Sequence, residues 1–411
     1  MGSRLNVIAF ICILVNLLTN KLHAQDSMEI RIAPNYAMGG KCSELFQSVR
    51  YIPLETSKKC IIGRVRKLYV AKDNFIVYDD TRNQIVIFDR NGKYLSKIND
   101  LSGSSKIPAW DILFENISID YVNNKIIVLP NYVHEKIRDI IFEFDFNGKL
   151  LAKRKFDVSN FGRSFASLGD DAFFIKYEQG GSLWKTLKKK YTFAVIKNGK
   201  VLSNILPCSE HPILENQDNL FVVNMVEKWA KGTQSVFFNQ AYKDEIYEID
   251  TGGVRKKYKL ILPIEYSIPT DFLSNSIYNG KRLDTLIAHN KWVYGFDEIY
   301  GQDDILLLKY LNTENNNYNK YLRINFLNGM FYSFNFIEPD TLSYYLPVVS
   351  DVLVMANDKI YSALNTRDLM DAYSRNTFKK VYKENSSVPI ISSINKLSNP
   401  VIVEITPKVD F

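Results

Sequence analysis

The chain has 411 residues, 46% hydrophobic and 24% charged, which is too apolar for a disordered chain and long enough to bury a large core. Its formal charge of +7 comes from scattered lysines and arginines rather than one basic face, which argues against nucleic acid as a partner. Clusters "KTLKKKY" (185–191) and "VRKKYK" (254–259) adjoin turn signals and read as solvated hairpin ends.

Residues 1–24, "MGSRLNVIAFICILVNLLTNKLHA", set Arg4 before an apolar run and end in a short polar stretch at Ala24, the layout of a secretory signal peptide. The mature chain is expected to begin near Gln25. Loss of two basic residues, Arg4 and Lys21, and of no acids takes the charge from +7 to +5. Cys12 lies inside the apolar run, where a lipoprotein cysteine would not, and no later segment approaches the roughly 18 uninterrupted apolar residues of a membrane span. The expectation is a soluble, monomeric protein, periplasmic or extracellular. The odd set Cys42, Cys60 and Cys208 is no disulfide framework; Cys42 and Cys60 are the pair that export would most readily join.

"SVRYIPLET" (48–56) is a strand with no unit of its own. After it, Asn-Gly between alternating apolar runs recurs at Asn91-Gly92, Asn147-Gly148, Asn198-Gly199 and Asn328-Gly329, with Thr251-Gly252-Gly253 as a degenerate copy. This is the strongest short-range signal for a tight hairpin, and a type I′ turn is expected at each. The intervals, 91 to 147 to 198 to 251 to 328, define a unit of roughly 50 residues with the last one lengthened by insertion. Each unit reads as four strands, as in "RKLYVAKDNFIVYDDTRNQIVIFDRNGKYLSKI". The fifth is expected from about Asp284 to Pro339, with "NTENNNYNK" (312–320) at a loop tip. A sixth, from Leu346, reads "PVVSDVLVMANDKIYSAL", then a helix over 367–384, then the lone strand "NPVIVEITPK". It lacks an outer strand, and pairing it with "SVRYIPLET" closes the ring without an open seam. The fold class is therefore all-β: a six-bladed propeller of four-stranded blades spanning 25–411, with a short C-terminal helix insertion.

"YIPLET", the following "IIGRVRKLYVAKDNFIVYDDTRNQIVIFDRNGKYLSKI" and the C-terminal "NPVIVEITPK" resemble the six-bladed propellers of exported bacterial proteins, distant relatives of NHL-repeat propellers. Where such proteins carry a glycine- and proline-rich turn, this chain has "NDLSGSSKIPAWDI" after Ile98. The resemblance implies the fold and carries no general catalytic assignment.

No nucleophile elbow, zinc helix or phosphate loop is present, and no cofactor or resident metal is expected. His134, His211 and His289 fall in connections that emerge on one face of a propeller. They could bind Zn²⁺ there as neutral nitrogen donors, an arrangement some NHL-type lyases use; unrelated surface or packing roles are the plainer reading. Trp110, Trp229 and Trp292 lie near strand starts or loops, where exposed rings would suit stacking on a sugar and buried ones would pack between blades. The expected function is a binding or interaction module for a peptide, glycan or envelope protein. It would present an uncharged or aromatic-lined face. The alternative is a lyase or hydrolase at the channel mouth, which requires those histidines, or carboxylates, to converge there. A structural subunit of an envelope assembly would instead show a contiguous exposed apolar patch.

Overall fold

The structure, a computed structural model, describes residues 26–99, 101, 113–131, 140–157, 159–178, 181–208, 225–230, 233–314, 320–375 and 389–408. Six antiparallel four-stranded sheets form the blades of a propeller. In chain order their innermost strands are Val65–Ala71, Leu113–Asp120, Phe161–Gly169, Met225–Ala230, Gly295–Gln302 and Leu353–Ala356. The second and third strands of a blade are buried on both sides, as in Asn74–Asp79 and Gln84–Asp89, because another blade packs on each face. Outer strands such as Leu150–Lys155 are mostly exposed. Six hydrophobic clusters fill the six blade interfaces. Burial of apolar surface at about 25 cal/mol per Å² is the main force holding the ring.

Closure follows the expectation. Phe46–Pro53 forms the outer strand of the sixth blade, antiparallel to Val401–Pro407, with Ile402 opposite Ile52. The N-terminal chain does more than the sequence suggests: Asp26–Arg31 runs parallel to the outer strand of the fourth blade, and Met38–Lys41 parallel to that of the fifth. It covers two exposed edges before completing a third blade. Ile30 and Ile32 are buried in the interface between blades four and five. A Cβ on Gly39 would sit 2.4 Å from the Phe336 carbonyl oxygen, so the strap lies flush only without a side chain there.

All five outer hairpins fall where the Asn-Gly signals stand, but their turns differ. Only Asn198 (φ +51°) and Gly199 (φ +74°) have the paired positive φ of a type I′ turn. At Gly92 and Gly148 the glycine alone is left-handed (φ +80° and +77°), in a three-residue loop with a bulge. The cause is the aspartate two residues before each asparagine. Asp89 Oδ1 accepts from the backbone N–H of Asn91 (2.8 Å) and Lys93 (2.9 Å), and Asp145 does the same for Asn147 and Lys149.

The fifth blade begins at Gly295 rather than near Asp284. Residues 282–288 form a helix that belongs to the long insertion 262–294, anchored by buried Arg282, which donates to the carbonyls of Phe272 and Leu273 (3.0 Å each). The C-terminal helix spans Thr366–Arg375, and the rest of its expected range lies outside the described residues. Cys42, Cys60 and Cys208 are free thiols. Cys42 sits in the core between blades five and six and Cys60 between blades six and one, so the expected bond does not form. Among the described residues no helix is long and apolar enough to cross a membrane.

Candidate functional site

Ring closure brings the first and last blades together beside the fifth, and a cleft of about 720 Å³ opens there at the mouth of the central channel. Its walls come from the connection into blade one (Ile62–Arg66), the innermost strand of blade five (Glu298), the neighbouring strand (Lys309), and the loops of blade six (Ser350–Val352, Asn365–Asp368, Lys396–Pro400). This volume lies in the range of small-molecule sites. It opens on the face that carries the connections between blades and between second and third strands. A smaller pocket, about 190 Å³, marks the opposite mouth of the channel.

Buried Asn399 holds the closing wall. Its Oδ1 accepts from the Ile62 N–H (2.8 Å), and its Nδ2 donates to the carbonyls of Glu55 (2.7 Å) and Cys60 (2.6 Å). The helix Thr366–Arg375 forms because Leu369, Met370 and Tyr373 pack into the core between blades five and six. Asn365 Oδ1 accepts from the Arg367 N–H (3.0 Å) at its start, which turns Arg367 and Asp368 and the positive end of the helix toward the cleft. Buried Tyr321 donates to the Asp351 carbonyl (2.8 Å) and accepts from the Leu353 N–H (3.2 Å), fixing the blade-six wall against blade five.

Charge dominates the lining. Arg64 pairs with Asp80, and Lys396 with Asp371 (2.6 Å). Arg66 and Arg367 make no side-chain hydrogen bond or ion pair among the described residues, and Lys309 only lies over the Tyr321 ring, 5.3 Å from its centre. Opposing these cations are Glu298, Asp351 and Asp368.

Glu298 is the unusual group. It has φ +48° inside a strand, at a bulge between Asp297 and Tyr300, and the Asp297 carboxylate accepts from its N–H (2.7 Å). Non-glycine residues in that region cost about 1–3 kcal/mol and persist where the surroundings impose them. The bulge turns the side chain into the channel mouth. Part of it reaches solvent, but its Oε2 is buried without a hydrogen-bond partner among the described residues. Burial, aided by Asp297, pushes the carboxyl up to about 8, although Lys309, Arg66 and Lys67 pull it down. At neutral pH it is mostly a neutral acid. Asp351 is also raised, by desolvation of its carboxyl within the wall and by Asp368, with Lys309 opposing.

Of the residues singled out from sequence, His134, His211 and Trp110 lie outside the described residues, and Trp229 is placed only by its strand, Met225–Ala230. His289 and Trp292 lie in the insertion 262–294, stacked 4.1 Å apart and 7° from parallel, with Trp292 edge-on to Phe272. Neither lines the cleft. Among the described residues no cluster of His, Cys, Asp or Glu could hold a metal ion. Carboxylates do converge at the channel mouth, and the cleft is neither uncharged nor aromatic-lined.

Fold and cleft together define a six-bladed propeller with a charged channel-mouth site. The chain belongs to the family described as "Domain of unknown function (DUF4934)", whose model matches residues 29–406. It is similar to a structure named "Putative exported protein" from Bacteroides fragilis, at 14% identity and TM-score 0.64 over 93% of this chain and 99% of that one. A member of the DUF4221 family from Bacteroides vulgatus is similar at 12% identity and TM-score 0.49, over 89% and 97% of the two chains. No curated protein matches the sequence.

Proposed function

We propose that the protein is an exported propeller that binds a small polar ligand in the channel-mouth cleft. The observation that carries this reading is the cleft itself: it is ligand-sized, built from three blades, and lined by Arg66, Lys309 and Arg367, cations without an ion-pair partner among the described residues. Water solvates such cations well, so a ligand displaces it only by offering matched charge and hydrogen bonds. The apolar run at residues 1–24 and the likeness to the exported protein of Bacteroides fragilis support export, periplasmic or extracellular. Glycan and peptide libraries screened by thermal shift against the wild type and an Arg367→Gln variant test the reading. A ligand that binds only the folded state raises the melting temperature; the expected hit is lost in the variant, and a hit of equal size in both counts against the cleft.

The alternative, a lyase or hydrolase at the same place, is favoured by one observation. Glu298 is a carboxyl held near 8 in a cleft, as a general acid requires. Turnover of a bound ligand that Glu298→Gln abolishes without weakening its binding would establish the alternative.

A further inference from the structure

The mixed lining points to a narrower ligand class, an inference that rests on the cleft being the binding site. We infer that the cleft takes a sugar acid, its carboxylate held by Arg66 and Arg367 and its hydroxyls by Asp351, Asp368 and Glu298.

Charge balance leads to this class. With Arg64 and Lys396 already paired to Asp80 and Asp371, three cations without an ion-pair partner among the described residues face Asp351 and Asp368, so the lining carries one net positive charge while Glu298 keeps its proton. That matches a monoanion. A dianion such as phosphate would leave excess negative charge beside two aspartates. A plain organic anion would leave both aspartates without donors in the bound state, at the cost of desolvating them. A hydroxylated carboxylate satisfies both halves of the wall: guanidinium forks match a carboxylate in bidentate geometry, and aspartates accept from hydroxyls. The lining contains no aromatic ring among the described residues, so recognition rests on hydrogen bonds rather than stacking.

A ligand carboxylate beside Glu298 favours its protonated form further, so binding weakens as Glu298 ionises. The groups setting that ionisation are Asp297 on its own strand, Lys309 on the next, and Arg66 and Lys67 across on blade one.

Isothermal titration calorimetry on the mature protein tests the assignment with glucuronate, galacturonate and trigalacturonate, against glucose, acetate and inorganic phosphate, at pH 6.5 and 9. The expected result is saturable binding of at least one uronate and not of glucose or acetate. Arg66→Gln and Arg367→Gln should each weaken it about tenfold or more, and Glu298→Gln should remove the pH dependence. Preference for trigalacturonate over the monomers would identify an oligosaccharide source, and equal binding a free sugar acid. Both arginines are exposed, so these variants should keep the wild-type melting curve. Binding of phosphate or glucose that Arg367→Gln abolishes would overturn the sugar-acid class and leave the cleft as the site. Uronate binding unaffected by either arginine variant, or no variant-sensitive binding of any probe, would overturn both.

Discussion

Replacing Glu298 by glutamine isolates the electrostatic cost of the cleft without any ligand. The carboxyl lies at about 8 in the folded protein against 4.5 for the free side chain. Between those values the folded state holds a proton that the unfolded chain has released, so stability falls as pH rises through this window and levels off above it. At about 1.4 kcal/mol per pH unit the ceiling is roughly 5 kcal/mol. Water reaching part of the side chain screens the group, leaving about 2–4 kcal/mol in practice. Glutamine is nearly isosteric and carries no charge, so it should match the wild type at pH 4 and exceed its stability by that amount at pH 9. Urea melts at pH 4, 6.5 and 9 give the comparison. For a chain of this size about 0.8 kcal/mol/K of unfolding entropy makes the corresponding melting-temperature rise roughly 3–5 °C. A stability difference constant across all three pH values would refute the buried-acid reading of Glu298.

Asn399→Leu keeps the branched shape and removes three hydrogen bonds, stranding the Ile62 N–H and the Cys60 carbonyl and leaving the Glu55 carbonyl only the Cys60 thiol as donor; a loss of about 2–5 kcal/mol is expected in urea unfolding, and under 1 kcal/mol would mean water replaces them. A chain beginning at Ile61 should melt well below residues 25–411 because it lacks the outer strand of blade six, and a chain beginning at Cys42 should fall between the two; equal melting temperatures for all three would deny the strap and the closure any role. Gly92→Ala places a Cβ 2.2 Å from the Pro53 carbonyl oxygen at φ +80° and should cost about 1–3 kcal/mol by chemical denaturation, whereas Gly199→Ala, which meets nothing within 4 Å, should cost less.

The blades were legible because each hairpin announces itself locally, in five residues whose turn chemistry does not depend on distant contacts. The turn type was legible only in hindsight: the aspartate in "DRNGK" and "DFNGK" captures two backbone N–H groups and converts the expected two-residue loop into a bulged one. Asp26–Arg31 and Met38–Lys41 carry no comparable signal, because such short segments show little periodicity and their pairing is parallel to strands more than 200 residues away. "MEIRI" alternates, but five residues specify neither face nor partner. The cleft has no motif at all. Arg66, Glu298, Asp351 and Arg367 are joined only by ring closure, and the positive φ that aims Glu298 inward has no signature beyond two adjacent acids in "GFDEIYG".

The direct test of the account is a crystal structure of residues 25–411 soaked with trigalacturonate. Density for a sugar carboxylate between Arg66 and Arg367, with a sugar oxygen within hydrogen-bond reach of Glu298, is the expected result. Density on the His289–Trp292 stack or at the opposite mouth of the channel, with the cleft holding only water, would contradict it.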